Sequence, residues 1–164
     1  MFVVREGCNK SGVIAFIGYI FYSLIAMEVY RHEVKYYECD RMGITHHSNY
    51  VRFMEEARVD WMDQLGYGFD RMEAEGVVSP VVSVECAYKH PTTFKDVIEI
   101  EVRVVETSPL KITFGYTMRA NGKLVCTARS VHCFMENGRP VQLAELIFHN
   151  ESIAILTNCK LTIR

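Results

Sequence analysis

The stretch SNYVRFMEEARVDWMDQLG, residues 48–66, decides how this chain folds. Its apolar residues recur at spacings of three and four, as on one buried face of an α-helix: Tyr50, Phe53, Met54, Ala57, Trp61, Met62 and Leu65. Ser48 or Asn49 is a natural N-cap, and Gly66 is a natural stop beyond the last turn. Charged residues are expected mostly on the other faces: Glu55, Glu56, Arg58 and Asp60.

The segments on either side of this helix show the two-residue period of half-buried β-strands. Before the helix, residues 29–37 alternate loosely and predict a first strand. After it, alternating runs cover residues 82–88, 98–104 and 112–118. A fourth run, residues 124–135, is mixed enough to be buried on both faces or to lie in an interface. The predicted order is therefore one strand, one long helix and four further strands.

Turn residues separate the later strands and limit how they pair. Asn121-Gly122 predicts a two-residue hairpin, because both central positions of a type I′ turn need positive φ. Ser108-Pro109 marks another turn, and Asn137-Gly138 is expected to close the last strand. Short connections make the sheet largely antiparallel, and the apolar helix face needs that sheet as a cover. The predicted class is α+β, a curved antiparallel sheet wrapped around one long central helix, with sheet edges suited to dimerisation.

Composition narrows the classes of protein to which this chain can belong. Its 164 residues suit one domain, with 49% apolar and 23% charged residues. The net charge is −2 and the 18 basic residues are scattered, which disfavours nucleic-acid binding. The six cysteines lack C-x-x-C spacing, so a zinc site or a secreted disulfide framework is disfavoured. Reduced thiols and a cytoplasmic location are predicted.

Residues 13–27, VIAFIGYIFYSLIAM, form a nearly unbroken apolar run with three competing interpretations. The run is short for a membrane span, which takes about 20 residues, although a tilted or extended segment remains an alternative. It has the length of a signal-peptide core but lacks a convincing small-x-small cleavage site. The third interpretation is that it lies outside the working domain.

The loop before the helix carries the candidate chemistry. Asp40 lies three residues before Gly43 and about eight before the helix, so the loop can bring its carboxylate beside the first helical turn. Unpaired backbone N–H groups and the positive end of the helix dipole favour an oxyanion there. Acyl transfer needs a nucleophile or base together with such donors. His46 or His47 can donate a proton, orient the carboxylate or contact an acyl group.

Taken without further information, the same loop also fits a purely structural interpretation, which composition and spacing favour. In it Asp40 caps a turn, Ser48 caps the helix and both histidines are solvated. Cys39 is expected to be a small buried thiol, because neighbouring residues of an extended segment point to opposite sides. A metal site built from the aspartate and the adjacent histidines is disfavoured by their spacing. Glu55 either reaches the loop or is a solvated helix carboxylate.

The loop and helix together resemble a known signature, Y-x-x-D-x-x-G-x-x-x-H-x-N-Y-x-x-x-x-E, formed here by Tyr37, Asp40, Gly43, His47, Asn49, Tyr50 and Glu55. It is similar to that of the hotdog-fold acyl-CoA thioesterases, in the 4-hydroxybenzoyl-CoA thioesterase-like subgroup that includes the Tol–Pal-associated bacterial thioesterases. Two later segments, YKHPTTFKDVIEI (88–100) and NGRPVQLAE (137–145), are similar to further parts of that family. The resemblance covers residues 29–145.

This resemblance implies a hotdog fold, working as dimers or dimers of dimers with active sites between subunits. It implies hydrolysis of an acyl-CoA to free acid and CoA, without cofactor or metal, and Asp40 as nucleophile or general base. The backbone N–H of His47 is implied as oxyanion donor, and its side chain as an acid or substrate contact. Further substrate-binding candidates are Gly43, His46, Asn49, Tyr50 and Glu55. The alternative is a non-catalytic hotdog protein that binds acyl-CoA or a partner.

The resemblance also suggests domain boundaries. Residues 1–26 have no counterpart in the family, so we expect an N-terminal extension, a hotdog domain over residues 27–145 and a C-terminal tail over 146–164. Membrane association is expected only if residues 13–27 form an anchor. Glu38 stands where relatives often carry another acidic or small residue, and we expect this departure to affect little.

Overall fold

A computed structural model describes residues 27–143 of the chain. The predictions for the N-terminal extension and for the tail fall almost entirely outside these residues and stay predictions. Within residues 27–143, no helix is long and apolar enough to cross a membrane.

The described residues form two helices, eight strands and a short 3₁₀ turn at Tyr36–Glu38. The helices are α1, Asn49–Gln64, and α2, Phe69–Ala74. The strands are β1 Tyr30–Glu33, β2 Val77–Val78, β3 Val81–Tyr88, β4 Val97–Thr107, β5 Lys111–Ala120, β6 Lys123–Cys133, β7 Met135–Glu136 and β8 Arg139–Pro140. Five strands form an antiparallel sheet in the order β1-β4-β5-β6-β3, and β2, β7 and β8 form a second, small sheet. The predicted α+β hotdog fold is confirmed.

Helix α1 buries the predicted apolar face against the five-stranded sheet. Phe53 and Ala57 are fully buried, and Trp61 is 6% exposed. The helix ends as predicted, with Gly66 at φ +75° just past its last turn. Of the charged residues expected mostly on the other faces, Arg58 is the exception, since it is 6% exposed. Arg58 lies four residues from both Met54 and Met62, so its phase on the helix already placed it on the buried face.

Strand β1 is shorter than predicted, because a side chain interrupts the backbone pairing. The backbone of Val34 still pairs with the β4 side, donating to Asp96 O at 2.9 Å. The next N–H, that of Lys35, is bound instead by the Glu38 carboxylate at 2.7 Å. The chain then turns into the 3₁₀ segment, which ends the strand and begins the candidate loop.

Both Asn-Gly pairs adopt the backbone expected of two-residue hairpins. Asn121 and Gly122 have φ of 51° and 74°, and they join β5 to β6 as predicted. Asn137 and Gly138 have φ of 49° and 76°. This second pair does not end the strand region, since it joins β7 to β8 within the small sheet.

Strand β3 lies at one edge of the large sheet and is exposed along most of its length. Val81, Val82 and Tyr88 are 51%, 49% and 48% exposed, so the alternation of the sequence does not produce a well-buried face here. In β6, the mixed fourth run, buried residues mostly alternate with half-buried ones. The core therefore lies between α1 and the centre of the sheet, and β3 leaves apolar side chains at its rim.

Candidate active site

The loop before α1 folds back on itself, as its glycine and its length predicted. Asp40 N–H donates to Ile44 O and His46 N–H donates to Glu38 O, both at 2.8 Å. Cys39 and Thr45 form an isolated antiparallel bridge between these two bonds. Gly43, at φ +78°, occupies the tight turn and donates its N–H to Asp40 O at 3.0 Å. This small hairpin brings the aspartate segment beside the residues that start the helix.

Asp40 is half-buried and has one of its carboxylate oxygens engaged. Its Oδ1 accepts the backbone N–H of Met42 at 2.8 Å, so the turn-capping role is present. Among residues 27–143, no group donates a hydrogen bond to Oδ2. A carboxylate held through one oxygen keeps the other available to a water molecule or a substrate.

At the start of α1, the Ser48 N–H donates to His46 Nδ1 at 3.3 Å and the Asn49 N–H donates to His46 O at 3.0 Å. Ser48 occupies the N-cap position, but its own backbone is helical and its hydroxyl contacts His46 Nδ1 at 2.8 Å instead of capping the helix. The backbone N–H of His47 has no acceptor within residues 27–143. Such N–H groups at a helix start favour negative charge.

Tyr88, at the end of β3, ties the helix start to the sheet edge. Its hydroxyl donates to His47 O at 3.0 Å, and its ring lies 5.2 Å from that of Tyr50 and 6.5 Å from that of His47. Burial, followed by the nearby Cys86, raises the pKa of Tyr88 to about 12. Tyr88 therefore keeps its proton near neutral pH and remains a donor. The rings of His46 and His47 stack with centroids 4.2 Å apart.

The remaining predicted substrate-binding residues differ in where they lie. Asn49 is buried and donates its side-chain N–H to Glu38 O at 2.8 Å. Tyr50 is 3% exposed, its hydroxyl lies 3.0 Å from Thr92 Oγ1, and burial raises its pKa.

Glu55 is exposed and lines an open groove on α1 with Tyr30 and Asp60. Contact of these residues with a substrate stays a prediction.

Two of the three segments that carried the resemblance, the loop before α1 and residues 88–100, meet in space. Thr45 N–H donates to Thr92 O at 2.8 Å, and the hydroxyls of the two threonines are 2.7 Å apart. Thr93 Oγ1 donates to the carbonyl of Gly43 at 2.8 Å. The connection between β3 and β4 therefore supports the candidate loop from one side.

Sequence reasoning missed a cluster beneath the loop. His32, on β1, lies between the carboxylates of Glu38 and Glu56, at 2.9 Å and 3.0 Å from its two ring nitrogens. Tyr30 donates its hydroxyl to Glu56 at 3.0 Å, and Glu38 is 6% exposed. Nothing local in the sequence marks this cluster, because β1, the 3₁₀ turn and α1 meet only in the folded chain.

A second missed cluster lies around Arg58. Its Nη1 is 3.2 Å from Nε2 of His132, which also lies 2.7 Å from the hydroxyl of Ser130. Because a guanidinium only donates, Nε2 of His132 is the acceptor. Burial first, and then the charge of Arg58, lower the pKa of His132 to about 4. The ring is therefore neutral at pH 7, beside a buried cation.

Two thiols lie on the face of the sheet that packs against α1. Cys86 is half-buried, Cys126 is buried, and Cys86 Sγ is 3.7 Å from Met54 Sδ. A hydrogen bond from Cys126 lowers the pKa of Cys86 to about 7.

Cys39, by contrast, is half-buried against the core, and its Sγ lies 3.9 Å from Lys35 O. Within residues 27–143, no three His, Cys, Asp or Glu side chains are grouped to hold a metal ion.

Comparison with known proteins assigns the family. The model of the thioesterase-like superfamily matches residues 34–147, and the chain belongs to this superfamily. A relative from Aquifex aeolicus, provisionally named an esterase, is 35% identical over 70% of this chain and 90% of the relative. A Bacillus subtilis relative, provisionally named an acyl-CoA thioesterase, is 34% identical over 67% of this chain and 82% of its own length.

Solved structures agree with this assignment. A protein of Aquifex aeolicus is similar with TM-score 0.70 and 33% identity, covering 74% of this chain and 96% of that one. A DHNA-CoA thioesterase from Staphylococcus aureus is similar with TM-score 0.72 and 25% identity, covering 80% of this chain and 91% of that one. The narrower 4-hydroxybenzoyl-CoA and Tol–Pal subgroup stays a prediction.

Proposed function

We propose that this chain is an acyl-CoA thioesterase, a hydrolase that converts an acyl-CoA to free acid and CoA. The observation that carries the proposal is the hairpin loop, which brings the Asp40 carboxylate to the start of α1. Among residues 27–143, one oxygen of this carboxylate has no donor and the His47 N–H has no acceptor. Membership of the thioesterase-like superfamily and the name of the Bacillus subtilis relative support the same reaction.

The chemistry needs only these two groups. As general base, Asp40 takes a proton from water while the water oxygen adds to the thioester carbonyl carbon. As nucleophile, Asp40 itself adds to that carbon, and water later hydrolyses the resulting anhydride. Both routes leave negative charge on the carbonyl oxygen, where the His47 N–H stabilises it. The C–S bond then breaks, and CoA leaves as a thiolate that takes up a proton.

The other predicted residues receive supporting roles in this proposal. Gly43 permits the tight turn that brings Asp40 back to the helix, and the Asn49 side chain holds the helix start by a hydrogen bond to Glu38 O.

The exposed His47 side chain contacts the substrate or donates the proton to the leaving group, with His46 stacked beside it. Tyr50 lines the inner wall of the site, and Glu55 is the outermost candidate contact.

A second subunit completes the site in this proposal. Among residues 27–143, strand β3 pairs on one side only, and it carries exposed apolar side chains. The hydroxyl of its last residue, Tyr88, donates to His47 O. Pairing along β3 therefore brings a second copy next to the helix start. We propose a homodimer or a homotetramer built from such dimers. The cytoplasmic location stays a prediction.

The experiment measures release of free thiol from short-chain, long-chain and aromatic acyl-CoAs by the full chain. Asp40→Asn keeps the size of the side chain and removes its basicity, so we expect kcat to fall by about 10² or more. The matched control is Asp70→Asn, an exposed aspartate in the first turn of α2, which is expected to keep wild-type turnover. Wild-type turnover by Asp40→Asn contradicts the proposed mechanism. Acyl-CoA binding without turnover by the wild type favours the non-catalytic alternative.

A further inference from the structure

We infer that His32 is a positioning residue for this reaction, because it holds Glu38, whose backbone carbonyl fixes the segments on both sides of His47. The inference rests on the proposed function for its meaning in catalysis. His32 lies on β1, outside the candidate loop and on a different element from every residue that the resemblance implied.

The imidazole of His32 is buried and bound through both nitrogens. His32 is 8% exposed, and its ring centroid lies 4.0 Å from that of Phe53. This packing holds the imidazole in its orientation. Nε2 is 2.9 Å from Glu38 Oε2 and Nδ1 is 3.0 Å from Glu56 Oε2. An ionised carboxylate only accepts, so both contacts are hydrogen bonds when the ring carries a proton on each nitrogen. The ring then acts as a rigid bridge between two carboxylates.

Glu38 is held by this bridge and by its own backbone turn. Its carboxylate is buried, and the same Oε2 that meets His32 accepts the Lys35 N–H at 2.7 Å. Charge-assisted hydrogen bonds of this kind are shorter and stronger than neutral ones. Removing the imidazole takes away the side chain that binds this buried carboxylate, and a buried polar group that loses a hydrogen-bond partner is unfavourable. Glu38 is then expected to shift toward water.

The backbone of Glu38 transmits its position to the oxyanion donor. Its carbonyl oxygen accepts the His46 N–H at 2.8 Å and the Asn49 side-chain N–H at 2.8 Å. These two donors lie immediately before His47 and two residues after it. A shift of Glu38 therefore moves both anchors of the segment that carries the His47 N–H. The expectation that the departure from the family pattern at Glu38 affects little stays a prediction, and this inference gives Glu38 itself a role in holding the loop.

Glu56 and Tyr30, on the solvent side of His32, keep its imidazole ring oriented. The Glu56 side chain is 43% exposed and accepts the Tyr30 hydroxyl at 3.0 Å. Burial, and then the hydrogen bond to Glu56, raise the pKa of Tyr30 to about 12, so it remains a donor. Tyr30 therefore holds the Glu56 carboxylate that faces Nδ1 of His32. The other ring nitrogen, Nε2, supports the loop through Glu38.

The test compares His32→Phe, His32→Gln and the control Asp70→Asn in the full chain. His32→Phe keeps the ring against Phe53 but removes both donors, and we expect kcat to fall about tenfold or more with KM within about twofold. His32→Gln restores one donor and is expected to recover part of kcat. Asp70 is exposed and lies in the first turn of α2, and its substitution is expected to leave both kinetic constants unchanged.

A second measurement does not depend on activity. We expect the ¹H–¹⁵N resonances of His46 and His47 to shift in His32→Phe, with faster exchange of the His46 amide than in wild type, while amides in the middle of α1 stay protected. If His32→Phe does not fold, Glu38→Gln takes its place, since it keeps the acceptor for Lys35 N–H and removes the charge that binds His32.

The two measurements separate the two ideas. If the wild type hydrolyses no acyl-CoA, the proposed function fails, and the His46 exchange rate alone decides whether His32 controls the helix start. A folded variant with unchanged kcat and unchanged His46 exchange overturns the inference. A lower melting temperature alone, with kcat unchanged well below it, assigns His32 a structural role only and also overturns the inference.

Discussion

At the scale of single residues, the candidate site depends on which polar groups the fold leaves without partners. The hydroxyl of Ser48 contacts His46 and does not cap the helix, and the His47 N–H has no acceptor among residues 27–143. Within the described residues 27–143, only one oxygen of the Asp40 carboxylate accepts a hydrogen bond, from the Met42 N–H. Together these two features leave a hydrogen-bond acceptor and a hydrogen-bond donor in one short loop. Thioester hydrolysis requires this pair of groups.

The buried histidine gives a prediction about acid stability. His132 is fully buried, and its pKa falls from an ordinary value of 6.5 to about 4, first because of burial and then because of Arg58. Between these two values the unfolded chain binds a proton that the folded chain does not. The free energy of unfolding is therefore expected to be insensitive to this group above pH 6.5 and to fall as pH drops from 6.5 to 4, by about 3 kcal/mol at most.

Urea unfolding at pH 7.5, 6, 5 and 4.5 checks this prediction. His132→Gln removes the titrating ring and is expected to reduce the loss of stability across that series, although it lowers stability at every pH. His90→Gln, at an exposed histidine, is expected to keep the wild-type dependence. Equal slopes for wild type and His132→Gln contradict the prediction.

At the scale of elements, local features were predictable from the sequence and contacts between elements were not. The period of α1, its stop at Gly66 and the Asn121-Gly122 hairpin each depend on a few neighbouring residues. Strand β1 ends early because the Glu38 carboxylate binds the backbone N–H of Lys35. The periodicity of the sequence gives no sign of that bond. In the candidate site the folding back of the loop toward the helix was predicted, and the roles of its residues stay predictions. The His32 cluster was missed, because it brings three elements together.

The β5–β6 hairpin gives a prediction that isolates backbone conformation from packing. Gly122 has φ +74°, and a Cβ placed there meets no atom within 4 Å. Any loss of stability in Gly122→Ala therefore comes from the left-handed backbone, and we expect about 1–2 kcal/mol. Lys123→Ala, next to it on the exposed strand end, is the control and is expected to change stability by less than about 0.5 kcal/mol. Chemical denaturation measures both, and equal stability of the two variants contradicts the explanation.

At the scale of the whole molecule, the five-stranded sheet has two edges, and they differ. One edge is the four-residue β1, short and rich in polar residues. The other is the eight-residue β3, where Val81 and Val82 are about half exposed and Val84 is 36% exposed. Long apolar edges invite pairing with another chain, whereas short charged ones resist it. The proposed dimer therefore uses β3, and the candidate sites lie beside that interface.

Charged substitutions at the two edges distinguish these surfaces. We expect Val82→Lys combined with Val84→Lys to convert dimers or tetramers to smaller species, because each paired strand would carry lysines into an apolar contact. Light scattering after size exclusion measures the mass. Val29→Lys replaces a valine that is 46% exposed and precedes β1 at the opposite edge, and it is expected to leave the mass unchanged. Since Tyr88 links β3 to His47, loss of the dimer is also expected to lower kcat. A monomeric wild type, or dissociation by Val29→Lys alone, contradicts an interface along β3.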